Sequence, residues 1–299
     1  MELIIIDKDI FFIPNPVNIG VVKVSPSSVA LIDTGVDGDV ARKILRLLDE
    51  NGFKVDFIIN THSHADHIGG NAFIKEKTGA KIFASFLESA IVEYPILEPL
   101  YLFSGANPPS PLTGKFFLSK PSCVDIVITK KELKLNEVEF KVIPLPGHST
   151  NQIGLEVDGV LFLADAIFSR EILDKYKITF CVDINKYKDT LNWLRDSNYK
   201  FYVPAHAQPG ESLKELIEFN LNNIKENENL ILDILKEGKE VSEILKELCD
   251  YHRINITGMG EYYLINTPIM AYLSSLLSRR RLSFELKNNK LLWKRTGWF

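Results

Sequence analysis

Short apolar runs broken by prolines fill the first part of the chain. Residues 3–6, 10–13, 19–24 and 29–32 are rich in isoleucine and valine, and Pro14, Pro16 and Pro26 punctuate them. Each run reads as a short strand. Ile44, Leu45, Leu47 and Leu48 then form an apolar stripe, which predicts a helix over residues 40–48. A β-rich run at 55–59 leads into a polar loop, and a helix-compatible run at 71–78 leads out of it. Residues 84–93 read as a short helix. Strand patterns recur at 124–128, 138–145, 153–157 and 160–164, with Asp158-Gly159 as a hairpin signal between the last two. A helix over 186–196 and a strand over 199–203 follow.

Beyond Pro209-Gly210 the period changes. Residues 213–236 repeat leucine and isoleucine at helical spacing, and Gly238 ends the run. A second helix is predicted over 241–249. Thr267-Pro268 reads as an N-cap with proline at the first helical position, opening a third helix through Leu277. Two strand-like runs, 282–286 and 290–294, flank Asn288-Asn289. The stretch 95–121 fits neither period. It holds six prolines among Ile96, Leu97, Leu100, Tyr101, Leu102, Phe103, Leu112, Phe116 and Phe117. A connection this long and this apolar is unusual. It reads as a lid, a substrate wall or a subunit contact, with a packed structural loop as the plain alternative.

The chemistry concentrates in the loop after residues 55–59. His62, His64, Asp66 and His67 are four metal-binding side chains within six residues, followed by Gly69-Gly70. Imidazole and carboxylate suit borderline divalent ions such as zinc, iron or manganese. The chain has six histidines, and three of them are in this loop. That crowding argues against a polar turn with incidental histidines. His148, Asp165 and His206 each follow a strand pattern, so seven candidate ligands stand at strand ends, where α/β proteins build sites. His252 alone falls in a helical stretch and reads as a surface or packing residue.

The HxHxDH loop, with the later Pro146-Gly147-His148, Asp165 and His206 elements in this order, resembles the metallo-β-lactamase superfamily. Within it the glyoxalase II (hydroxyacylglutathione hydrolase)-like branch is most similar. The resemblance covers residues 1–210 and implies an α/β fold, an αβ/βα sandwich with metals at one edge of two sheets. It implies that His62, His64 and His148 hold one divalent ion, that Asp66, His67 and His206 hold a second, and that Asp165 bridges them. It also implies that Asp33, in Ile32-Asp33-Thr34-Gly35, steadies a metal-binding histidine from behind. A carboxylate in that place fixes the imidazole tautomer, although Asp33 also suits a turn or helix cap. The implied cofactors are two divalent ions, zinc first, with iron or manganese as alternatives. Two such ions share a water of lowered pKa, and the resemblance implies that Asp66 ligates the second ion and orients the resulting hydroxide. The expected reaction is hydrolysis of a thioester, lactone or related acyl bond in a small-molecule substrate. The alternatives are a mononuclear iron persulfide dioxygenase, and a nuclease or nucleic-acid-binding protein acting through residues 211–299. That stretch resembles the helical, winged-helix-like C-terminal module of some glyoxalase II-like relatives.

Composition narrows the partners. The 299 residues carry a formal net charge of −4, which gives no general pull toward nucleic acid or anionic membrane. Residues 211–299 carry 13 basic and 13 acidic side chains, a poor balance for phosphate binding. Nucleic acid is therefore a minority expectation, even though Arg279, Arg280, Arg281, Lys287, Lys290, Lys294 and Arg295 cluster near the end. No apolar run approaches the roughly 20 residues that span a bilayer, and a contact between copies of the chain is left open. Cys123, Cys181 and Cys249 form no paired framework. With no signal-peptide pattern at the amino terminus, a reducing cytoplasm is the expected location.

Overall fold

A computed structural model describes residues 1–297. The strands at the amino terminus are β1 (Ile4–Asp7), β2 (Ile10–Ile13), β3 (Ile19–Ser25) and β4 (Ser28–Ile32), and they form an antiparallel meander. The sheet then becomes parallel through β5 (Lys54–Ile59), β6 (Lys81–Ser85) and β7 (Ile126–Ile128). Parallel neighbours need crossovers. Helix α1 (Gly38–Glu50) makes the first, and α2 (Ala65–Ile68) with α3 (Asn71–Thr78) makes the second. After β6 the chain enters α4 (Phe86–Glu93) and α5 (Leu97–Leu102) before it reaches β7.

The second sheet has the order β12-β11-β10-β9-β8. Its strands are β8 (Glu132–Leu135), β9 (Val138–Pro144), β10 (Ile153–Val157), β11 (Val160–Phe168) and β12 (Phe201–His206). The hairpin at Asp158-Gly159 joins β10 to β11. β11 and β12 are parallel, linked across α6 (Arg170–Tyr176) and α7 (Ile184–Asp196). All residues of β4, β10 and β11 are buried, which marks them as central strands covered on both faces. Between the sheets Ile10, Phe12, Ile32, Ile59 and Phe83 pack against Phe140, Val142, Leu155, Phe162 and Val203. Beneath the first sheet Ile44, Leu48 and Ile74 cover Val29, Leu31 and Ile58. The architecture is helix, sheet, sheet, helix, as the αβ/βα expectation requires.

The C-terminal region consists of α8 (Lys214–Ile234), α9 (Val241–His252), α10 (Met259–Ser278) and the hairpin β13 (Leu282–Lys287)–β14 (Lys290–Arg295). One apolar core runs without a break from Leu161, Leu163 and Ile167 of the second sheet, through Tyr187 and Leu191, to Ile217, Ile224, Ile231, Leu273 and Trp293. Among the described residues no helix is long and apolar enough to cross a membrane.

Two sequence expectations need correction. The stretch 84–93 is not all helix, because Ala84 and Ser85 complete β6. Pro268 does not open a helix. It lies inside α10, whose N-cap is Gly258. A proline there costs the helix one hydrogen bond, about 3 kcal/mol in an exposed setting. Burial of Ile269, Tyr272, Leu273 and Leu276 in the shared core offsets that cost.

Candidate metal centre

The loop between β5 and α2 carries His62 and His64, and α2 itself carries Asp66 and His67. Its position is set from behind. Thr34 N–H donates to His67 O at 2.8 Å, and Gly70 N–H donates to Gly35 O at 3.1 Å. At Gly69 any Cβ would lie 2.0 Å from Val36 O, so a side chain there would push the α2 end off its seat. The one Thr34 Oγ1 proton is shared between Asn71 Oδ1 and His67 O, and Asn71 exchanges hydrogen bonds with Asn60.

His148 comes from the turn after β9. Gly147 makes that turn possible: its φ is +131°, and a Cβ would meet Tyr187 backbone at 2.4 Å. Asp165 sits inside β11 rather than after it. The β11–β12 pairing slips on both sides of Ala164, whose φ is +51°, and this irregularity turns Asp165 toward the site. His206 is the last residue of β12.

All seven predicted ligands converge. His62 Nε2 is 3.0 Å from His64 Nδ1, which is 2.9 Å from His148 Nε2. His206 Nε2 is 3.3 Å from Asp66 Oδ2. Asp165 stands between the groups, with Oδ1 at 3.1 Å from His67 Nε2 and Oδ2 at 3.3 Å from His148 Nε2 and 3.4 Å from His206 Nε2. Donors on a tetrahedron around zinc, each at about 2.0–2.1 Å, are separated by roughly 3.3 Å. Three trios have ligand atoms within 4.8 Å of one another: His62/His64/His148, His62/His67/Asp165 and Asp66/His67/His206. His67 Nε2 and Asp165 Oδ1 are buried and make no aligned hydrogen bond, even with each other at 3.1 Å. Buried polar atoms seldom go without a partner. Two buried polar atoms left without an aligned partner at the meeting point of the ligand-type side chains fit a place for a cation.

The outward ring nitrogens settle the tautomers. His148 Nδ1 lies 2.9 Å from Phe180 O, and His206 Nδ1 lies 2.9 Å from Pro16 O. A carbonyl only accepts, so each Nδ1 carries a proton and Nε2 is the nitrogen turned to the site. His67 Nδ1 donates in the same way to Asp33 Oδ2 at 2.8 Å. Thr61 Oγ1 donates to Asp33 Oδ2 at 2.7 Å, which leaves its oxygen to accept from His62 Nδ1 at 3.1 Å. Asp33 thus orients His67 directly and His62 through one hydroxyl. It holds this place at φ +65°, a left-handed conformation that Asp tolerates better than most residues.

Burial, reinforced by neighbouring imidazoles, holds His62 well below the ordinary histidine value. Burial likewise brings His64 down to about 4 and His148 to about 3, against the pull of Asp165. These rings are neutral near pH 7, and no proton has to leave before a metal binds. His67 is the opposite case. Burial pushes it down, but Asp165, Asp33 and Asp66 outweigh burial and raise it well above its usual value. Burial pushes Asp66 up, and His67 and His206 overcome this to hold it at about 2.

Several contributors escaped the sequence reading. Glu88 of α4 is buried and bonds both ligand-bearing loops. Asn60 and Asn71 brace the loop from behind. Glu98 of α5 lies close enough to Asp66 and Glu88 for their charges, after burial, to push its carboxyl well above the usual range. It belongs to the proline-rich stretch, which lies beside the metal loop: Ser119 Oγ reaches Ala65 O at 3.5 Å. The only signal for Glu98 was a lone acid in an apolar segment. His252, as expected, lies apart and pairs with Asn227 Oδ1 at 2.8 Å.

Two sheets meeting at an edge lined by histidine and aspartate define a metal-binding αβ/βα sandwich. The model of the metallo-β-lactamase superfamily matches residues 13–206, and the chain belongs to that superfamily. A hydroxyacylglutathione hydrolase of Albidiferax ferrireducens is 30% identical over 139 residues, 45% of this chain and 43% of that enzyme. A hydroxyacylglutathione hydrolase of Pelagibacter ubique is 23% identical over 225 residues, covering 71% of this chain and 82% of that enzyme. The chain thus matches less than half the length of the first of these relatives. A metallo-β-lactamase family protein of Thermus thermophilus shares the fold with a TM-score of 0.75 at 18% identity, over 98% of this chain and all (100%) of that one.

Proposed function

We propose that the chain is a dinuclear metal-dependent hydrolase acting on a thioester, lactone or related acyl bond of a small molecule. The observation that carries this reading is the placement of Asp165, whose two oxygens face His67 on one side and His148 and His206 on the other. In this reading His62, His64 and His148 hold one ion, Asp66, His67 and His206 hold the other, and Asp165 serves both. Zinc is the first candidate, with iron or manganese as alternatives. Divalent ions bound there would supply Lewis acidity and a water whose pKa falls toward about 7.

The chain's own residues do the rest. Neutral His62, His64 and His148 present lone pairs without proton loss. Asp66 is partly exposed at the mouth and carries charge at neutral pH, so it can accept a hydrogen bond from the attacking water and aim it. Phe180 lies against His64 and His148, with ring centroids 5.2 and 5.8 Å away, and walls that side of the cleft with apolar surface. The hydroxyacylglutathione hydrolases among the relatives support an acyl substrate.

A mononuclear dioxygenase would leave Asp66 and His206 outside the metal shell, whereas both turn into this site. Nucleic acid remains the less favoured partner. Arg279 pairs with Glu228 and Lys290 with Glu240, which consumes part of the C-terminal basic cluster. The winged-helix reading of residues 211–299, a self-association contact and a cytoplasmic location belong to this proposal as well.

The test is metal analysis of protein purified without added metal, followed by assays on thioester, lactone and phosphodiester substrates. Two ions per chain with acyl hydrolysis is the expected result. A single iron with no hydrolysis, or phosphodiester cleavage alone, would overturn it.

A further inference from the structure

We propose that Glu88 is the positioning residue of the three-histidine half of the metal centre, clamping the two loops that carry His62, His64 and His148. The proposal rests on the metal-centre reading above. Glu88 stands in the first turn of α4 and is 2% exposed. One oxygen, Oε2, accepts from Ser63 N–H at 3.1 Å and Ser63 Oγ at 2.5 Å. The other, Oε1, accepts from Ser149 Oγ at 2.6 Å and Asn151 N–H at 2.9 Å. Ser63 lies between His62 and His64, and Ser149 directly follows His148. One carboxylate therefore spans the gap between the two sheets at the point where their ligands meet.

The rest of the α4 entry serves the same grip. Ser85 Oγ donates to Asn151 O at 2.7 Å, and Leu87 N–H donates to Asn151 Oδ1 at 3.2 Å. Behind the ligands a single backbone bond, Ile153 N–H to Thr61 O at 2.9 Å, also joins the loops. That bond sets their register. Among the described residues, Glu88 alone hydrogen-bonds both Ser63, between His62 and His64, and Ser149, next to His148. The other trio is held differently: His67 by Asp33, and His206 by Pro16 O. Glu88 touches none of Asp66, His67 or His206 through a hydrogen bond. The clamp is thus specific to one half of the centre.

Glu88→Gln tests this with almost no change of volume. Two of the four partners are backbone N–H groups, one on each carboxylate oxygen, and these cannot turn into acceptors. Whichever way the amide is placed, its NH2 confronts one of them and that loop loses its tether. Cobalt binding is measured, by absorption and chelator competition, in two backgrounds. His206→Ala keeps the three-histidine position, and His64→Ala keeps the Asp66/His67/His206 position. Ligand-orienting partners typically carry 10–100-fold in metal affinity. Glu88→Gln should therefore weaken cobalt binding about tenfold or more in the first background, with altered absorption bands, and leave the second unchanged. Equal loss in both backgrounds would make Glu88 a general structural residue and overturn the proposal, as would no loss in either. Failure of both backgrounds to take up cobalt with Glu88 intact would refute the metal-centre reading, and the clamp with it. If Glu88→Gln does not fold, Ser149→Ala removes one of the four bonds. Its smaller loss must be confined to the first background, and any other pattern counts against the clamp.

Discussion

Asp33→Asn is the sharpest probe of how the centre is held. The two Asp33 oxygens accept three hydrogen bonds: Thr61 N–H on Oδ1 at 2.9 Å, and Thr61 Oγ1 and His67 Nδ1 on Oδ2 at 2.7 and 2.8 Å. Asparagine offers one oxygen. If it lies at the Oδ2 position, the NH2 meets the Thr61 backbone N–H. If it lies at the Oδ1 position, the NH2 meets His67 Nδ1, and His67 must move its proton to Nε2, the atom that faces Asp165. Thr61 Oγ1 then accepts from the amide and its own proton loses its carboxylate acceptor, which frees the hydroxyl to turn toward His62 Nδ1 and disturb that ring's tautomer as well. Asparagine tolerates φ +65° as well as aspartate does, so backbone strain is held constant. Leaving one buried donor unpaired costs about 1–3 kcal/mol of stability. Disturbing the tautomers of two ligands costs about 10–100-fold in metal affinity, or about 1.4–2.7 kcal/mol. Thermal melting of the metal-free protein reads the first cost, and chelator competition reads the second. An Asp33→Asn protein that melts lower but binds metal with the parent's affinity would show that Asp33 is only a turn residue.

Asp165→Ala should lower occupancy of both metal positions together, measured by elemental analysis; a fully loaded variant with unchanged activity would refute the bridging role. Gly147→Ala should displace the His148 turn, because its Cβ would fall 2.4 Å from Tyr187 backbone at a φ of +131°. Overpacking of this kind costs about 1–3 kcal/mol or more, read by denaturant unfolding along with lost metal. The metal-free protein should lose stability on acidification. Histidine titrates near 6.5 when unfolded, whereas burial holds folded His64 at about 4 and His148 at about 3. Their contribution is complete above pH 6.5 and is lost as pH falls through the folded values, at up to about 2.7 kcal/mol per pH unit where both differ. His67 and His206, raised in the folded state, contribute stability that is already in place below pH 6.5 and is lost only at higher pH, so they add no loss in that window. Flat melting temperatures between pH 6.5 and 4 would contradict the neutral-histidine assignment.

The convergence of the seven candidate side chains was legible because histidine and aspartate announce their chemistry by type, and their crowding after apolar runs has no packing explanation. Strands β2, β4 and β10 were legible for a related reason: short β-branched runs between clear breaks leave little choice. Glu88 was not legible. A single glutamate in a helix looks like any solvated acid until tertiary structure shows its two oxygens between Ser63 and Ser149. Strand β6 was missed because Lys81-Ile82-Phe83-Ala84-Ser85 runs into Phe86-Leu87 with no proline or glycine to mark the change. Pro268 misled because a local rule about helix starts gave way to burial of the whole α10 face. Asp165 does stand among the clustered histidines, but the irregularity at Ala164 that turns it there has no sequence signature.

The proline-rich stretch 95–121 connects these observations to the C-terminal region. On one side it meets the metal loop and the start of α1: Ser119 reaches Ala65 O, Glu98 lies near Asp66, and Lys115 pairs with the α1 N-cap Asp37 at 2.9 Å. On the other it meets α10. Phe103 packs edge-on against Tyr263 with centroids 5.5 Å apart, and a Cβ on Gly260 would strike the Phe117 ring at 2.6 Å. The stretch is therefore a packed connection held from two directions, with its apolar side chains spent partly on α10. The C-terminal region also grips the strand that carries Asp165. Asn220 of α8 donates to Phe168 O and accepts from Phe168 N–H, at the end of β11. Through Asn220 it supports the strand that carries Asp165, and through Tyr263 and Gly260 it packs on the stretch beside the metal loop. Residues 211–299 thus complete the surroundings of the metal centre from behind and from one side, which is a physical reason for them to share one core with the second sheet.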